Sequence, residues 1–408
     1  MTTQHKDSPI LARGRAVVGI DVGKGKHAAV AISPQGEKLA SLAAFGNDRE
    51  GVDRLEDDVF SAAGSPKKTL FAMEATGHYW MPLYHELVRR GYRGVVLNPI
   101  QTNSEARTRI RKTKTDKRDA EGIARFILTG KAHAARIPDE STEELRILTR
   151  RLTRLIQMKG DVERAAQTLS DRLFPEYDGC LSKPFLPSGR ALIREIGLTP
   201  DNLTYDPFAV RETLMRASRG RLESDVADNI VSRAGESIGV RRAEVVLNEE
   251  LCASMDHIEH LEEQIMELEA RIASCMDWRT SPLTSLGLGM SLAAAIHAES
   301  DPADDFPTAR QYAAYAGLEP TTFASGQMKG ANARISKRGS PHLRRALYLS
   351  AFVVFRKHEH FARIYRRFRK KGHRHQSALV VVARRLALVI WRLLVDNRDF
   401  AKRPPPKT

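Results

Sequence analysis

The chain has 408 residues, of which 42% are hydrophobic and 28% are charged. This length and composition indicate a folded protein of two or three domains, each large enough to have its own core. The formal net charge of +15 at pH 7 favours a polyanionic partner, and nucleic acid is the commonest one.

Cysteine usage and hydropathy narrow the cellular setting. Cys180, Cys252 and Cys275 are widely spaced and odd in number, which argues against a disulfide framework or a zinc knuckle and indicates a reducing compartment. No apolar stretch of signal-peptide type precedes the first predicted strand. The apolar segment 378–395 predicts a core helix and no membrane span, because it contains arginines that would be costly in lipid. These are Arg384, Arg385 and Arg392.

The first third of the chain predicts an α/β domain over residues 15–135, after a frayed polar tail at residues 1–14. Residues 15–44 indicate three strands separated by glycine-containing turns. The later elements are predicted as a helix around 49–61, a strand ending at Glu74, a helix over 79–90, a strand over 94–97 and a helix over 117–128. Successive strands followed by alternating helices and strands are typical of a mixed sheet that is antiparallel on one side.

Two heptad patterns dominate residues 140–280 and predict a coiled-coil region. The first consists of Leu145, Leu148, Leu152, Leu155, Val162, Ala166, Leu169 and Leu173, and only Lys159 interrupts it. The second consists of Ile258, Leu261, Ile265, Leu268, Ile272 and Cys275. The two helices are expected to pair antiparallel in one chain, or between subunits. The stretch 178–240 between them is predicted to be an elaboration at the coiled-coil tip or a plain spacer.

A second domain, mostly helical, is predicted over residues 281–396, so that the coiled coil joins two domains. It opens on Leu286-Gly287-Leu288-Gly289, which resembles the hairpin of a helix-hairpin-helix, where glycine amides meet a phosphate. Helices over 291–298 and 309–316 follow, and two or three basic helices extend to about residue 396. The proline-rich end, residues 397–408, is expected to be disordered.

Four acidic residues are candidate metal ligands. Asp21 and Glu74 each end a predicted strand, while Asp116 and Asp119 are three residues apart at the start of a predicted helix, on one face of it. Converging carboxylates are costly unless a cation neutralises them. The four together therefore predict a site for a hard divalent ion, most simply Mg²⁺, and phosphate chemistry.

A second candidate site is Ser325, which lies in a glycine-containing loop close to several cations. Its hydroxyl is a potential nucleophile toward phosphorus if a base or a metal-bound partner lies nearby. The alternative is a loop that grips phosphate, in which the hydroxyl only donates a hydrogen bond. Nucleic-acid backbone contacts are predicted for Lys329, Arg334, Lys337, Arg338, Arg344 and Arg345.

The order of these features resembles the transposases of insertion-sequence family 110, a group that includes the pilin-gene invertases. The resemblance rests on Asp21, Glu74, Asp116 and Asp119, then a coiled coil, then Ala316-Gly317-Leu318, Ser325-Gly326 and Ile335-Ser336-Lys337-Arg338-Gly339. It covers nearly the whole chain. The chain departs from the family pattern at Gln327, at Ala324 and in the hairpin at 286–289, and the segment 178–240 has no counterpart that we match.

The resemblance implies a RuvC-like N-terminal domain of the RNase H fold, with the four acids as its metal site, and a C-terminal transposase domain with Ser325 as nucleophile. It implies a covalent phosphoserine with a DNA strand. It also implies donor and target DNA as partners, a bridge RNA that pairs with both, and a dimeric or tetrameric assembly. The expected location is the bacterial cytoplasm, at the nucleoid.

Two other functions stay open. The first is a Mg²⁺-dependent Holliday-junction resolvase or nuclease, which would use the four acids and make no link to serine. The second is a non-enzymatic nucleic-acid-binding protein, whose affinity would fall steeply with salt and would not depend on a metal.

Overall fold

The structure is a computed structural model, which describes residues 12–99, 101–102, 115–135, 137–276, 278–300, 302–320, 324–325, 328–329 and 335–400. The chain divides into two compact units, Met1–Pro138 and Asp139–Thr408. Each unit is built around its own hydrophobic clusters. Most of the two predicted tails lies outside the described residues, as do Arg334, Gly326 and Gln327.

The first unit contains a five-stranded sheet in the order β3-β2-β1-β4-β5. Its strands are β1 (Ala16–Val22), β2 (His27–Ile32), β3 (Lys38–Phe45), β4 (Thr69–Glu74) and β5 (Arg93–Leu97). The first three strands pair antiparallel, whereas β1 with β4 and β4 with β5 pair parallel. The predicted mixed sheet, antiparallel on one side, is confirmed.

Helices cover both faces of this sheet. They are α1 (Arg49–Leu55), which continues through a π-helical turn (Glu56–Phe60) into α2 (Ser61–Ala63), then α3 (Trp80–Arg89) and α4 (Asp116–Leu128). Because side chains alternate along a strand, each strand contributes to both faces. One face packs its apolar side chains with those of α1 and α3, and the other packs with α4.

A glycine in β1 sets how closely α4 approaches the sheet. A Cβ atom at Gly19 would lie 2.1 Å from the Ala120 carbonyl oxygen and 2.7 Å from the Ala124 amide nitrogen. No side chain larger than hydrogen fits at such distances. The first turns of α4 therefore lie directly on the central strand of the sheet.

The second unit begins with two long helices, α5 (Glu140–Leu173) and, after four shorter helices, α10 (Glu244–Ser274). They run antiparallel, because Arg271 pairs with Glu144 at one end and Lys159 pairs with Glu262 further along. Leucines of the predicted stripes are buried between them. Lys159, which interrupts the first stripe, reaches the Glu262 carboxylate at 2.6 Å. The long helices are confirmed, while a supercoil stays a prediction.

The segment between the long helices folds into α6 (Pro187–Glu195), α7 (Pro200–Tyr205), α8 (Pro207–Ser218) and α9 (Ser224–Gly235), preceded by a 3₁₀ turn at Pro175–Tyr177. Three of these helices begin with proline at their first position, where no intrahelical amide bond is lost. The helices share one core with the adjoining ends of α5 and α10. The stretch predicted as an elaboration or a spacer is thus a helical bundle.

The rest of the second unit is also mostly helical. Its helices are α11 (Met290–Ser300), α12 (Ala309–Tyr315), α13 (Pro341–Lys357), α14 (Glu359–Lys370) and α15 (His375–Asp396), with 3₁₀ turns at Trp278–Thr280, Pro282–Leu286 and Ala303–Asp305. A small hairpin pairs β6 (Ala324–Ser325) with β7 (Met328–Lys329). One core joins all five helices. The glycine motif at 286–289 links a 3₁₀ turn to α11, and its helix-hairpin-helix role stays a prediction.

The apolar segment 378–395 forms most of α15, as predicted for a core helix. Leu379, Val382 and Leu386 are buried, whereas Arg384 and Arg385 are exposed. Among the described residues, no helix has the length and hydropathy needed to cross a membrane.

We predict that Gly19→Ala lowers the free energy of unfolding by about 1–3 kcal/mol, the usual cost of overpacking a well-packed core. The new methyl group would push α4 away from β1. Urea denaturation followed by circular dichroism measures the change. Gly25→Ala is the matched control, because a Cβ atom there meets nothing within 4 Å. Equal stability of both variants would show that the contact is not tight in solution.

Candidate functional site

Two of the predicted acidic residues lie at the ends of neighbouring parallel strands. Ile20 of β1 is in register with Met73 of β4, so the next residues, Asp21 and Glu74, lie side by side, Asp21 one residue before the end of β1 and Glu74 at the end of β4. Adjacent strands lie about 4.8 Å apart. Asp21 also pairs with Ala28, whose side chain belongs to the core under α4. Both acids therefore lie on the α4 face of the sheet, and both are half-buried.

The other two acids lie in the first turn of α4, and the direction of this helix brings them to the same edge. Arg125, near its C-terminal end, donates to the Gly36 carbonyl oxygen at 3.3 Å, in the turn after β2. That turn lies at the start of β1, because the last residue of β2, Ile32, pairs with Val17. The N-terminus of α4 therefore lies toward the other end of β1, where Asp21 is.

Local sequence explains why α4 begins at this point. The Thr115 hydroxyl accepts a hydrogen bond from the Arg118 amide, as an N-cap does. Asp116 is exposed and Asp119 is half-buried. They precede the buried residues Ala120 and Ile123 by four positions each, so both acids lie on the side of the helix that faces the sheet.

The four carboxylates suit a hard divalent cation in their chemistry, since such ions prefer oxygen ligands. Two threonines already orient Glu74: the Thr102 hydroxyl donates to one carboxylate oxygen at 2.6 Å and the Thr76 hydroxyl to the other at 3.1 Å. Sequence reasoning missed both threonines, because no motif marks them. Within the described residues, no three or more His, Cys, Asp or Glu side chains come close enough together to hold a metal ion.

The second candidate residue, Ser325, lies in the small hairpin of the second unit. Ser325 pairs with Met328, and Ala324 pairs with Lys329. The structure describes the backbone of these residues, and the side chains of Ser325 and Lys329 lie outside the description. The hairpin therefore places the serine in the last pair before the two connecting residues, 326–327.

The two ends of the segment that carries the hairpin are held together by backbone hydrogen bonds. The Ser336 amide donates to the Glu319 carbonyl oxygen at 2.8 Å, and the Lys337 amide donates to that of Gly317 at 3.1 Å. An isolated bridge joins Pro320 to Ile335. The segment that contains the hairpin thus begins and ends at a closed base, formed by residues 317–320 and 335–340.

Two glycines allow the strands of this base to approach each other. A Cβ atom at Gly339 would lie 2.0 Å from the Tyr315 carbonyl oxygen, and one at Gly317 would lie 2.5 Å from that of Arg338. Both glycines have positive φ, where other residues are strained. Arg344 also belongs to the base, because its guanidinium donates to the carbonyl oxygens of Ala316 and Lys337.

The residues predicted to contact nucleic acid differ in their exposure and in their partners. Lys337 and Arg338 are exposed at the base of the hairpin, and Arg345 is half-buried on α13. Arg344 is occupied by backbone carbonyl groups. Arg334 lies outside the described residues.

An ion pair between a buried glutamate and an exposed arginine anchors the end of this base. Glu299, only 2% exposed, accepts from the Arg150 Nε at 2.7 Å and from the Ser340 hydroxyl at 2.8 Å. The Ser340 hydroxyl also accepts from the Leu343 amide and so caps α13. The Ser-Pro pair at the start of α13 indicates the cap in the sequence. The shared partner of Ser340 and Arg150 is visible only in the structure, because Glu299 lies 41 residues from Ser340 and 149 residues from Arg150.

Burial by itself raises the pKa of the Glu299 carboxyl, but the polar partners of this carboxyl act in the opposite direction. The hydrogen bond and the positive charge of Arg150, together with the Ser340 hydrogen bond, outweigh burial and hold that pKa below its ordinary value. Burial, and then the positive charge of Arg150, lower the pKa of the nearby His342. The network is therefore built around an ionised Glu299.

Comparison with family models matches both candidate sites. Residues 18–175 match the transposase model of the DEDD type of IS110, and residues 283–366 match the model of the transposase IS116/IS110/IS902 family. The first match includes all four acids. The second includes Ser325 and the base of the hairpin.

Comparison with curated proteins gives relatives over almost the full length. The chain is 26% identical to an uncharacterised protein of the insertion element IS116 of Streptomyces clavuligerus, over 99% of each chain. It is 27% identical to the corresponding IS110 protein of Streptomyces coelicolor, over 95% of this chain and 96% of that protein. It is 22% identical to a pilin gene-inverting protein of Moraxella lacunata, over 95% and 98%.

We predict that Glu299→Gln lowers the free energy of unfolding at pH 7 by about 1–2 kcal/mol, because the Arg150 charge loses its charged partner. The folded pKa of Glu299 is depressed, so its contribution is present above the ordinary glutamate pKa and is lost as pH falls through the folded value. Urea denaturation at a series of pH values from 7 to 3 should therefore show that the free energies of unfolding of the Glu299→Gln protein and the unsubstituted protein become more similar as the pH falls.

Glu359→Gln is the control for this prediction, because the Glu359 carboxylate pairs with Arg366 on the surface, where an ion pair contributes little. A Glu299→Gln protein as stable as this control at pH 7 would show that the pair of Arg150 with Glu299 does not stabilise the fold.

Proposed function

This chain belongs to the IS116/IS110/IS902 family of transposases and is a DNA recombination enzyme, and from that premise we propose that it cuts and rejoins DNA through a covalent phosphoserine at Ser325. The proposal assigns a Mg²⁺-dependent, RuvC-like role to the first unit. The observation that supports it is the register of β1 with β4, which sets Asp21 beside Glu74 on adjacent parallel strands, with the first turn of α4 toward the same end of β1, in a segment that matches the DEDD transposase model.

The first unit supplies the acids. We assign the sheet and α4 to the RNase H fold, and Asp21, Glu74, Asp116 and Asp119 to the binding of Mg²⁺. Carboxylates at one edge repel each other, and a divalent cation offsets that repulsion. When bound, the ion supplies Lewis-acid polarisation of the scissile phosphate. Thr102 and Thr76 hold Glu74 in a fixed rotamer by hydrogen bonding both of its oxygens.

The second unit supplies the nucleophile. The Ser325 oxygen attacks phosphorus, the serine proton is lost, and the bond from phosphorus to one DNA oxygen breaks to leave a hydroxyl end. The hydroxyl of a second strand then attacks the phosphoserine, and the serine oxygen leaves and takes up a proton. One phosphodiester is exchanged for another, so no nucleotide cofactor is needed. The closed base of the hairpin limits the positions that the serine can take.

The remaining parts of the proposal concern partners. Lys329, Arg334, Lys337, Arg338 and Arg345 contact the phosphate backbone of donor and target DNA, which a bridge RNA pairs with. Arg344 acts mainly on the base of the hairpin. The antiparallel helices α5 and α10 form a coiled coil, which follows the RuvC-like domain and precedes the serine domain along the chain. The serine domain begins with a helix-hairpin-helix-like segment. The working assembly is a dimer or tetramer at nucleoid DNA.

We predict that Ser325→Ala abolishes the covalent protein–DNA adduct while DNA binding stays within about twofold of the unsubstituted protein. A suicide substrate, in which a nick releases the leaving strand and traps the intermediate, allows the adduct to be counted on a denaturing gel. The element's RNA is added in all reactions. Ser336→Ala is the matched control, since Ser336 lies at the base of the same hairpin.

An adduct formed by the Ser325→Ala protein would contradict the phosphoserine. Cleavage by that variant without any adduct would favour a hydrolytic nuclease or junction resolvase that uses the acids alone.

We predict that Asp21→Asn reduces strand cleavage by at least about 100-fold and removes its dependence on Mg²⁺, because a neutral amide binds the ion poorly. Cleavage is measured across a Mg²⁺ titration and after chelation with EDTA. Glu121→Gln is the control, because Glu121 lies on the same helix as two of the acids but pairs with Arg125. Cleavage that survives EDTA would contradict a metal-dependent site.

A further inference from the structure

A groove with a cavity of about 240 Å³ lies between α12 and α15 in the second unit. Arg310 lines it from α12, and Arg384 and Arg385 line it from α15, over a floor that includes Ala313. In the sequence, the α15 arginines argue against a membrane span and belong to the basic helices predicted to extend to about residue 396. The structure shows that they lie together with an arginine from a different helix.

Helical spacing explains why the arginines share one groove. Arg384 and Arg385 lie three and four residues after Val381, and Leu388 lies four and three residues after them, which places all four on one side of α15. The opposite side of the helix, which includes Val382 and Leu386, is fully buried. The arginine side chains therefore extend from a rigid helix over a partly apolar surface.

Among the described residues, no acidic side chain pairs with the arginines of this groove. In the part of the chain that the structure describes, Arg310, Arg384 and Arg385 have no ion pair and no hydrogen-bonded partner. Glu319 is the one acid among the residues that line the groove, and it lies beyond ion-pair distance of them. By contrast, Arg392 of the same helix pairs with Asp396 at 2.9 Å.

The unbalanced groove adjoins the base of the serine hairpin. Glu319, which lines the groove, accepts the Ser336 amide hydrogen bond that closes that base, and the next residue, Pro320, bridges to Ile335. Planar guanidinium groups bind phosphate oxygens through paired hydrogen bonds. Arg384 and Arg385 lie beyond residue 366, where the second family match ends.

We propose that this groove binds a backbone phosphate of the DNA strand on which the hairpin acts. The proposal rests on the assigned DNA recombination function and adds a phosphate-binding site to it. It commits to DNA because the groove is continuous with the base of the hairpin that carries Ser325. Three arginines from two helices hold the phosphate, and its charge supplies the ion-pair partner that these arginines lack among the described residues.

The test compares variants with equal changes of charge on the full-length chain. The groove variant is Arg384→Gln/Arg385→Gln, and the control is Arg392→Gln/Arg398→Gln, whose guanidinium groups both pair with Asp396. Fluorescence anisotropy measures binding to a labelled DNA duplex of arbitrary sequence over a KCl series. We expect the groove variant to bind about tenfold more weakly at low salt. Its slope of log K against log [KCl] should be smaller by about 0.9, the value for one lost phosphate contact.

Three additional proteins make the result specific. Arg310→Gln alone should weaken binding in the same direction, since Arg310 reaches the groove from the other helix. Arg384→Lys/Arg385→Lys keeps the charge but loses paired hydrogen bonding, so it should keep most of the slope and part of the affinity. Thermal unfolding of each protein shows whether the fold is kept. Ser325→Ala should bind like the unsubstituted chain, which separates a failure of the serine chemistry from a failure of the groove.

Equal affinities and slopes for the groove variant and the control would overturn the proposal. It would also be overturned if the groove variant lost affinity for a labelled RNA duplex but not for DNA. The proposal is supported if the groove variant loses affinity for DNA alone and the Arg384→Lys/Arg385→Lys protein has an affinity between those of the groove variant and the control.

Discussion

The close contact between Gly19 of β1 and the backbone of α4 is the constraint on which the rest of the first unit depends. With only a hydrogen atom at this position, the helix lies directly on the central strand. The N-terminus of the helix then lies toward the end of β1 that carries Asp21. Asp116 and Asp119, which follow Asp21 by almost a hundred positions in the chain, belong to that first turn of the helix.

The second unit uses the same physical device at the serine hairpin. Gly317 and Gly339 remove the side chains that would separate the two arms of its base, and backbone hydrogen bonds close the gap. Arg344 and the pair of Arg150 with the buried Glu299 then hold the base against the helices. A two-strand hairpin has little stability by itself. Its position is therefore determined by the helical core behind it.

Much of the fold, and the positions of Asp21 and Glu74 at the ends of strands, could be predicted because these features follow from local sequence patterns. Asp21 and Glu74 end apolar runs, and such runs become the buried strands of the sheet. Leucine spacing predicted the long helices, including the interruption at Lys159. The pattern did not show that Lys159 has a partner, because Glu262 belongs to a helix about a hundred residues later. Thr102 was missed for the same reason, since no sequence rule pairs it with Glu74.

The sequence by itself determined the kinds of element, the positions of the four acids and the serine, and the excess of positive charge. These follow from periodicity and composition, which act over a few residues. Only the tertiary structure decided which faces meet: that α4 runs antiparallel to β1, that Glu299 joins Arg150 to the cap of α13, and that arginines of α12 and α15 share a groove. Such pairings depend on the packing of distant segments, because side-chain partners are chosen by shape and charge after the elements have formed.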